Sequence, residues 1–187
     1  MLRVGRMLAK SDSGTLTINQ RSERRTIKID AIYRKILAIV QQRANITNQE
    51  LADLVGLSPA ACSQRTNALK EAGYLISFHA EVDLARICEH VLAYVEFTLK
   101  TNEPETRARF AAAIEEIPEF MDCLRLSGDV DFISFTCCRG IKELNEVCDK
   151  MLSDPDLGIA RINQRIIIDR VKWYYGYPLS KLKWLGD

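Results

Sequence analysis

The 187 residues carry 47% hydrophobic and 27% charged side chains, the balance of a globular chain with a core. No apolar run approaches the ~20 residues of a membrane-spanning helix, and the opening "MLRVGRMLAKSDSG" lacks the apolar stretch of a secretory leader; we expect a cytoplasmic protein without a membrane partner. The net charge of +1 hides a division, because residues 1–77 hold 12 Lys+Arg against 6 Asp+Glu and residues 78–187 hold 14 against 19, which suits only the amino-terminal part to a polyanion.

Residues 1–28 carry Arg3, Arg6, Lys10, Arg21, Arg24, Arg25 and Lys28 with few apolar anchors, the composition of a flexible basic arm. From Ile29 onward Ile29, Ile32, Ile36 and Val40 recur at helical spacing, with Leu37 beside them. "NITNQELADLVG" starts a second helix, with Thr47 and Glu50 as a capping box and Leu51, Leu54 and Val55 inside. Gly56 ends that helix, and "LSPAACSQRTNALKEAG" begins a third at the Ser58 cap, with Pro59 in its first turn and Gly73 at its stop. Two short helices joined by a tight glycine turn after a longer one make a helix-turn-helix over residues 29–77.

The third helix is unusual in its first turns. Surface helices favour Asp or Glu there to offset the positive end of the helix dipole, yet no acid appears before Glu71. Projected at about 100° per residue, Cys62, Thr66 and Leu69 fall on the packing face and Ala60, Ser63, Gln64, Asn67 and Glu71 fall opposite. Small and amide side chains on such a face read base edges in the major groove, and an acid-free helix start repels no phosphate. Thr47, Asn48, Ser58, Ala60, Ser63, Gln64, Arg65 and Asn67 are the candidate contacts to double-stranded DNA.

"YLISFHAEVD" after Gly73 resembles a strand leading out through residues 78–88. In "HVLAYVEFTL", Val91, Ala93, Val95, Phe97 and Leu99 share one side of a strand. "EPETRARFAAAIEEI" is a helix with Phe110, Ile114 and Ile117 inward, and "EFMDCLRLSG" and "DVDFISFTCC" are strands meeting at Gly128-Asp129. "GIKELNEVCDKML" is a helix with Ile141, Leu144, Cys148 and Met151 inward, and "IARINQRIIIDRVKW" is the last strand. The expected fold class is α+β, a winged-type helix-turn-helix followed over residues 89–174 by a ferredoxin-like βαββαβ domain, with a tail over 175–187.

The six cysteines form no C-x-x-C pair, and with only His79 and His90 beside them they suggest no zinc site. Most are expected to be reduced, small core residues. No Ser/His/Asp, Cys/His or paired-carboxylate constellation supports catalysis, so an enzyme is not expected. Two other readings stand beside regulation: an architectural DNA binder that needs no effector, and a metabolite-binding or catalytic ferredoxin-like protein.

From about Ile29 to Lys172 the chain resembles the Lrp/AsnC family of feast/famine transcriptional regulators, chiefly in "IDAIYRKIL", "LADLVGLSPAACSQRTNALKEAGYL" and "LSGDVDF". The resemblance implies a sequence-specific regulator that answers an amino acid or related small metabolite. It implies no other cofactor, and homodimers built through the carboxy-terminal sheets, with octamers as the larger assembly. It places the effector at Ser127, Gly128 and Asp129, with Asp129 or Asp131 as a partner for an amino group; a glycine turn also lets backbone N–H groups approach a carboxylate. Tyr33 stands where the family pattern has an acid, and Asn67 and Ala68 where basic residues are common. Arg65 matches a family arginine, with phosphate contact and an ion pair to Asp53 or Glu50 as its two readings. The tail "WYYGYPLSKLKWLGD" is not family pattern, and its aromatic residues suggest packing against a neighbouring subunit.

Overall fold

The computed structural model describes residues 26–185, so Arg3, Arg6, Lys10, Arg21, Arg24 and Arg25 of the basic arm lie outside the described residues. The chain forms two units, one ending at Ala80 and taking in the tail from Tyr174, the other spanning Glu81–Trp173.

The first unit is built on three helices. Helix α1, Ala31–Val40, starts where the Asp30 carboxylate accepts the N–H groups of Ile32 and Tyr33 at 3.0 and 2.9 Å. Helix α2, Asn48–Val55, has the expected box: the Thr47 hydroxyl accepts the Glu50 N–H, and the Thr47 N–H donates to the Glu50 carboxylate at 2.9 Å. Gly56, at φ +74°, ends α2 in the left-handed region that favours glycine. Helix α3, Pro59–Glu71, follows at once, with the Ser58 hydroxyl accepting the Ala61 N–H at 3.3 Å. Ile36, Val40, Leu51, Ala52, Val55, Cys62 and Leu69 form one core among the three helices.

The strand expected over Tyr74–Asp83 does not form. Gly73 turns the chain, the Tyr74 N–H closes on the Leu69 carbonyl at 2.9 Å, and irregular backbone follows. A strand exists only as one side of a ladder, and no strand of the described residues pairs with this segment. Its alternating Ile76, Phe78 and Val82 therefore remain exposed.

The second unit runs β1 Val91–Leu99, α4 Pro104–Glu115, β2 Leu124–Arg125, β3 Phe132–Cys138, α5 Ile141–Ser153 and β4 Ile159–Ile166. The sheet order β2-β3-β1-β4, antiparallel throughout, is the ferredoxin-like split βαβ arrangement. Period-2 alternation sends Ala93, Val95, Phe97 and Leu99 into a core with Phe132 and Cys138, closed by Phe110 and Ile114 of α4 and Leu144, Cys148 and Met151 of α5. Phe110 stacks on Phe132 with ring centroids 4.6 Å apart and meets Phe97 edge-on at 5.0 Å.

In the first unit Leu54 of α2, expected inside with Leu51 and Val55, is 54% exposed. Three expectations need correction in the second unit. Strand β2 is far shorter than Glu119–Gly128, because at Asp122 the carboxylate takes the Phe135 N–H at 2.6 Å and the carbonyl takes the Ser134 hydroxyl, which interrupts the ladder between the Phe120–Thr136 bridge and the Leu124–Arg125 strand. Strand β4 stops at Ile166 instead of Trp173: its partner β1 begins at Val91, and beyond the bond from the Ile167 N–H to the Leu92 carbonyl there is nothing left to pair with. Ile168 and Val171 are accordingly 97% and 95% exposed. Ile141 is not inward; it opens α5 and is 54% exposed. All six cysteines are free thiols, with Cys62, Cys138 and Cys148 buried, and burial pushes the Cys138 and Cys148 thiols up to about 11.

Candidate DNA-reading helix and effector turn

Helix α3 holds its outer face clear by anchoring its inner one. Cys62 and Leu69 are fully buried, and the Thr66 hydroxyl is spent on the Cys62 carbonyl at 2.9 Å. Ala60, Gln64, Asn67 and Glu71 are exposed and Ser63 half-buried, and the first turn carries no acid. Exposed amides on a rigid helix are suited to paired hydrogen bonds with a base edge.

Besides Ser58, whose hydroxyl caps α3, three of the candidate contacts have partners within the chain. The Thr47 hydroxyl and backbone N–H hold Glu50, and these bonds, the hydroxyl's first, lower the Glu50 carboxyl below its ordinary value. The Asn48 amide donates to the Pro59 carbonyl at 2.8 Å and so ties the start of α2 to the start of α3. Arg65 pairs with neither Asp53 nor Glu50. Its guanidinium donates to Asp30 at 2.6 Å and lies over the Tyr33 ring, 4.6 Å from the centroid. Asp53 already receives the Gln49 amide, and Glu50 is held by Thr47. Asp30 meanwhile accepts two N–H groups of α1 as well as Arg65, and its carboxyl is lowered by the Tyr33 N–H first and by Arg65 next. Tyr33, the departure from the family pattern, supplies the face on which this arginine rests.

In the second unit, Ser127, Gly128 and Asp129 form an exposed turn between β2 and β3. Gly128 lies at φ +111°, a conformation that side chains oppose, and a Cβ there would meet nothing within 4 Å. The turn is tied down from behind by Asp131, whose two carboxylate oxygens accept the Leu99 N–H at 2.8 Å and the Asn102 amide at 2.7 Å. Its backbone closes the same corner, with the Asp131 N–H on the Phe97 carbonyl and the Leu126 N–H on the Asp131 carbonyl. Asp131 is thus occupied as a brace, whereas Asp129 lies exposed at the turn. Sequence reading missed Asn102 in this role. It stands 29 positions from Asp131, and no local pattern marks the pairing. A shallow cleft lined by Cys88, His90, Cys137, Arg139 and Glu143 lies at the opposite end of the β1–β3 ladder from the turn.

Residues 29–76 match the model of winged helix-turn-helix DNA-binding domains, and residues 92–176 match that of the Lrp/AsnC ligand binding domain. The class that follows is a transcription regulator joining a DNA-binding unit to a ligand-binding one. The chain belongs to the Lrp/AsnC family. It is 33% identical over 147 residues to a leucine-responsive regulatory protein of Salmonella typhimurium, covering 77% of this chain and 87% of that one. It is 30% identical over 148 residues to the regulator AldR of Mycolicibacterium smegmatis, covering 79% and 86%. A transcriptional regulator of Neisseria meningitidis, solved as a complex with L-Met, superposes with a TM-score of 0.72 at 25% identity, covering 81% of this chain and 97% of that one. The α+β fold class of a helix-turn-helix with a ferredoxin-like partner holds, and no helix of the described residues is long and apolar enough to cross a membrane.

Proposed function

We propose that the protein reads operator DNA with the outer face of α3 and adjusts that binding to an amino acid or related metabolite held at the Ser127–Asp129 turn. The observation that carries the reading is the exposed, acid-free start of α3 on a helix-turn-helix whose chain also holds a ligand-binding domain. Ala60, Ser63, Gln64 and Asn67 serve as base-side contacts, and the Ser58-capped helix start faces phosphate. Thr47, Asn48 and Arg65 serve by fixing the presenting geometry. The effector reading draws support from the matched ligand-binding domain and from the Neisseria relative solved with L-Met. The protein acts by binding rather than by catalysis, in the cytoplasm.

Assembly is part of the same proposal. The sheet face turned away from α4 and α5 carries Leu92, Tyr94, Ile133, Phe135 and, at the edge, exposed Leu124, with the Tyr94 and Phe135 rings 5.3 Å apart. A second copy of this sheet is its proposed cover, giving a homodimer and, from dimers, octamers. The test is selection of bound duplexes from a random pool, followed by titration of the selected site with and without each of a panel of L-amino acids, L-Met included. Enrichment of one motif and an amino-acid-dependent shift in affinity are expected. Recovery of no motif would overturn sequence reading, and an affinity indifferent to the whole panel would overturn the amino-acid effector.

A further inference from the structure

The carboxy-terminal tail, which the sequence places outside the family pattern but which the ligand-binding model matches as far as Gly176, belongs to the DNA-reading unit in this structure. Its attachment is specific. The Gln41 side chain, at the end of α1, offers both ends of its amide to one residue: the Tyr177 N–H donates to Gln41 Oε1 at 2.8 Å and Gln41 Nε2 donates to the Tyr177 carbonyl at 2.9 Å. This is the two-bond pattern of a strand neighbour, made by a side chain. Beside it, Gly176 sits at φ +94°, and a Cβ there would lie 2.7 Å from Gln41 Cδ and 2.8 Å from Oε1, so only glycine leaves the paired amide in place. Two turns back along α1, the Arg34 guanidinium lies over the Trp184 ring at 4.9 Å. Positions 34 and 41 share a helix face, so the tail runs along α1 in the opposite sense, meeting it at two points. A 3₁₀ turn at Leu179–Lys181 and the edge-on Tyr174 and Tyr177 rings, 5.8 Å apart, shape the segment between and before them.

We propose that residues 174–185 are an intramolecular strap, latched through Gln41 onto α1, that gives the DNA-reading unit a second and releasable tie to the ligand-binding domain. The first tie is the irregular segment after Gly73; the second is the irregular stretch Ile167–Trp173 that leads into the tail. A domain held by one irregular segment swivels widely, whereas a second tie restricts the positions it samples. In a dimer the strap therefore holds two reading helices to one half-site spacing. This consequence rests on the DNA-reading function proposed above; the latch itself does not.

The test compares the full chain with Gln41→Ala, Gly176→Val and a chain ending at Trp173. Amide hydrogen exchange is expected to rise about tenfold at the end of α1 in all three variants, and in the tail of the two that keep it, when the paired bonds are lost, with exchange in β1 and β3 unchanged as the sign of an intact fold. On duplexes carrying two selected half-sites, at the preferred spacing and at one altered by about 5 bp, half a helical turn, the full chain discriminates strongly. The released variants discriminate about tenfold less while binding a single half-site equally well. Equal exchange in all four proteins would overturn the latch, and undiminished spacing discrimination would overturn its role in positioning. Should the full chain itself select no half-site, the DNA-reading function fails, and exchange alone still decides whether the latch exists.

Discussion

At the scale of single residues, the proposed base-reading side chains on the outer face of α3 are distinct from those that hold the scaffold. Gln64 and Asn67 are exposed and pack against no core, so their replacement by Ala leaves the fold intact and removes only what they touch on DNA. Each such variant is expected to weaken operator binding by ~1–3 kcal/mol with little change on random duplex, read by parallel titrations. Arg65 behaves differently, because Asp30 and Tyr33 hold it in the structure. Arg65→Ala should cost about 1 kcal/mol of stability or less, since both partners of the pair are part-exposed. Asp30 itself has a pH signature, set first by the Tyr33 N–H and next by Arg65. The folded Asp30 carboxyl lies below its ordinary value, so its contribution is present above the unfolded value of about 3.9 and fades as pH falls through the lower folded one. Urea melts of the wild type and Asp30→Asn should therefore differ most at neutral pH and converge in acid. A constant gap down to about pH 2 would mean that the carboxyl charge contributes nothing.

At the scale of elements, the turn between β2 and β3 divides its two acids by task. Asp131→Ala leaves the Leu99 N–H and the Asn102 amide N–H without their carboxylate, and an unpaired part-buried donor costs about 1–3 kcal/mol. Asp129→Ala touches no such brace. It should melt like wild type yet lose part of the effector response, which amounts typically to ~1–3 kcal/mol of coupling. Thermal melts beside operator titrations with and without the amino acid that shifts wild-type binding decide this; equal destabilisation by both variants would erase the division. The same contrast explains what was legible in the sequence. Capping boxes, glycine stops and alternation are local signals, so α2, α3 and the inward face of β1 could be read directly from Thr47, Glu50, Gly56, Ser58 and the Val91–Leu99 pattern. Strand length is set by the partner, and the ends of β2 and β4 were not legible, because Asp122 competes for one ladder and β1 runs out along the other. Likewise Asp131 and Asp129 look alike in "SGDVD", and only Asn102 and Leu99, brought in by the fold, distinguish them.

At the scale of the whole molecule, the division of charge becomes a statement about DNA affinity. The exposed start of α3 carries no acid and the face opposite its core is uncharged up to Glu71, so the proposed helix contacts would release few counterions. The basic residues of the amino-terminal arm, Arg3, Arg6, Lys10, Arg21, Arg24 and Arg25, are the largest remaining supply of positive charge in the basic part of the chain. If they neutralise phosphates, each contact contributes about 0.9 to the slope of log affinity against log salt on duplex DNA. Deleting residues 1–26 should then lower affinity for operator and random duplex alike and flatten the slope by several units, while the ratio of the two affinities, set by α3, holds. The measurement is a salt series for the full and shortened chains on both duplexes. Parallel slopes would show that the arm makes no phosphate contact, and a fall confined to the operator would make it a reader of sequence rather than of charge. Because phosphate contacts act on every sequence and base contacts on one, the two variants of this chain, the shortened arm and Asn67→Ala, should add when combined. Operator affinity of the double variant, set against the two single ones at the same salt, is the final check that arm and helix act on separate parts of the duplex.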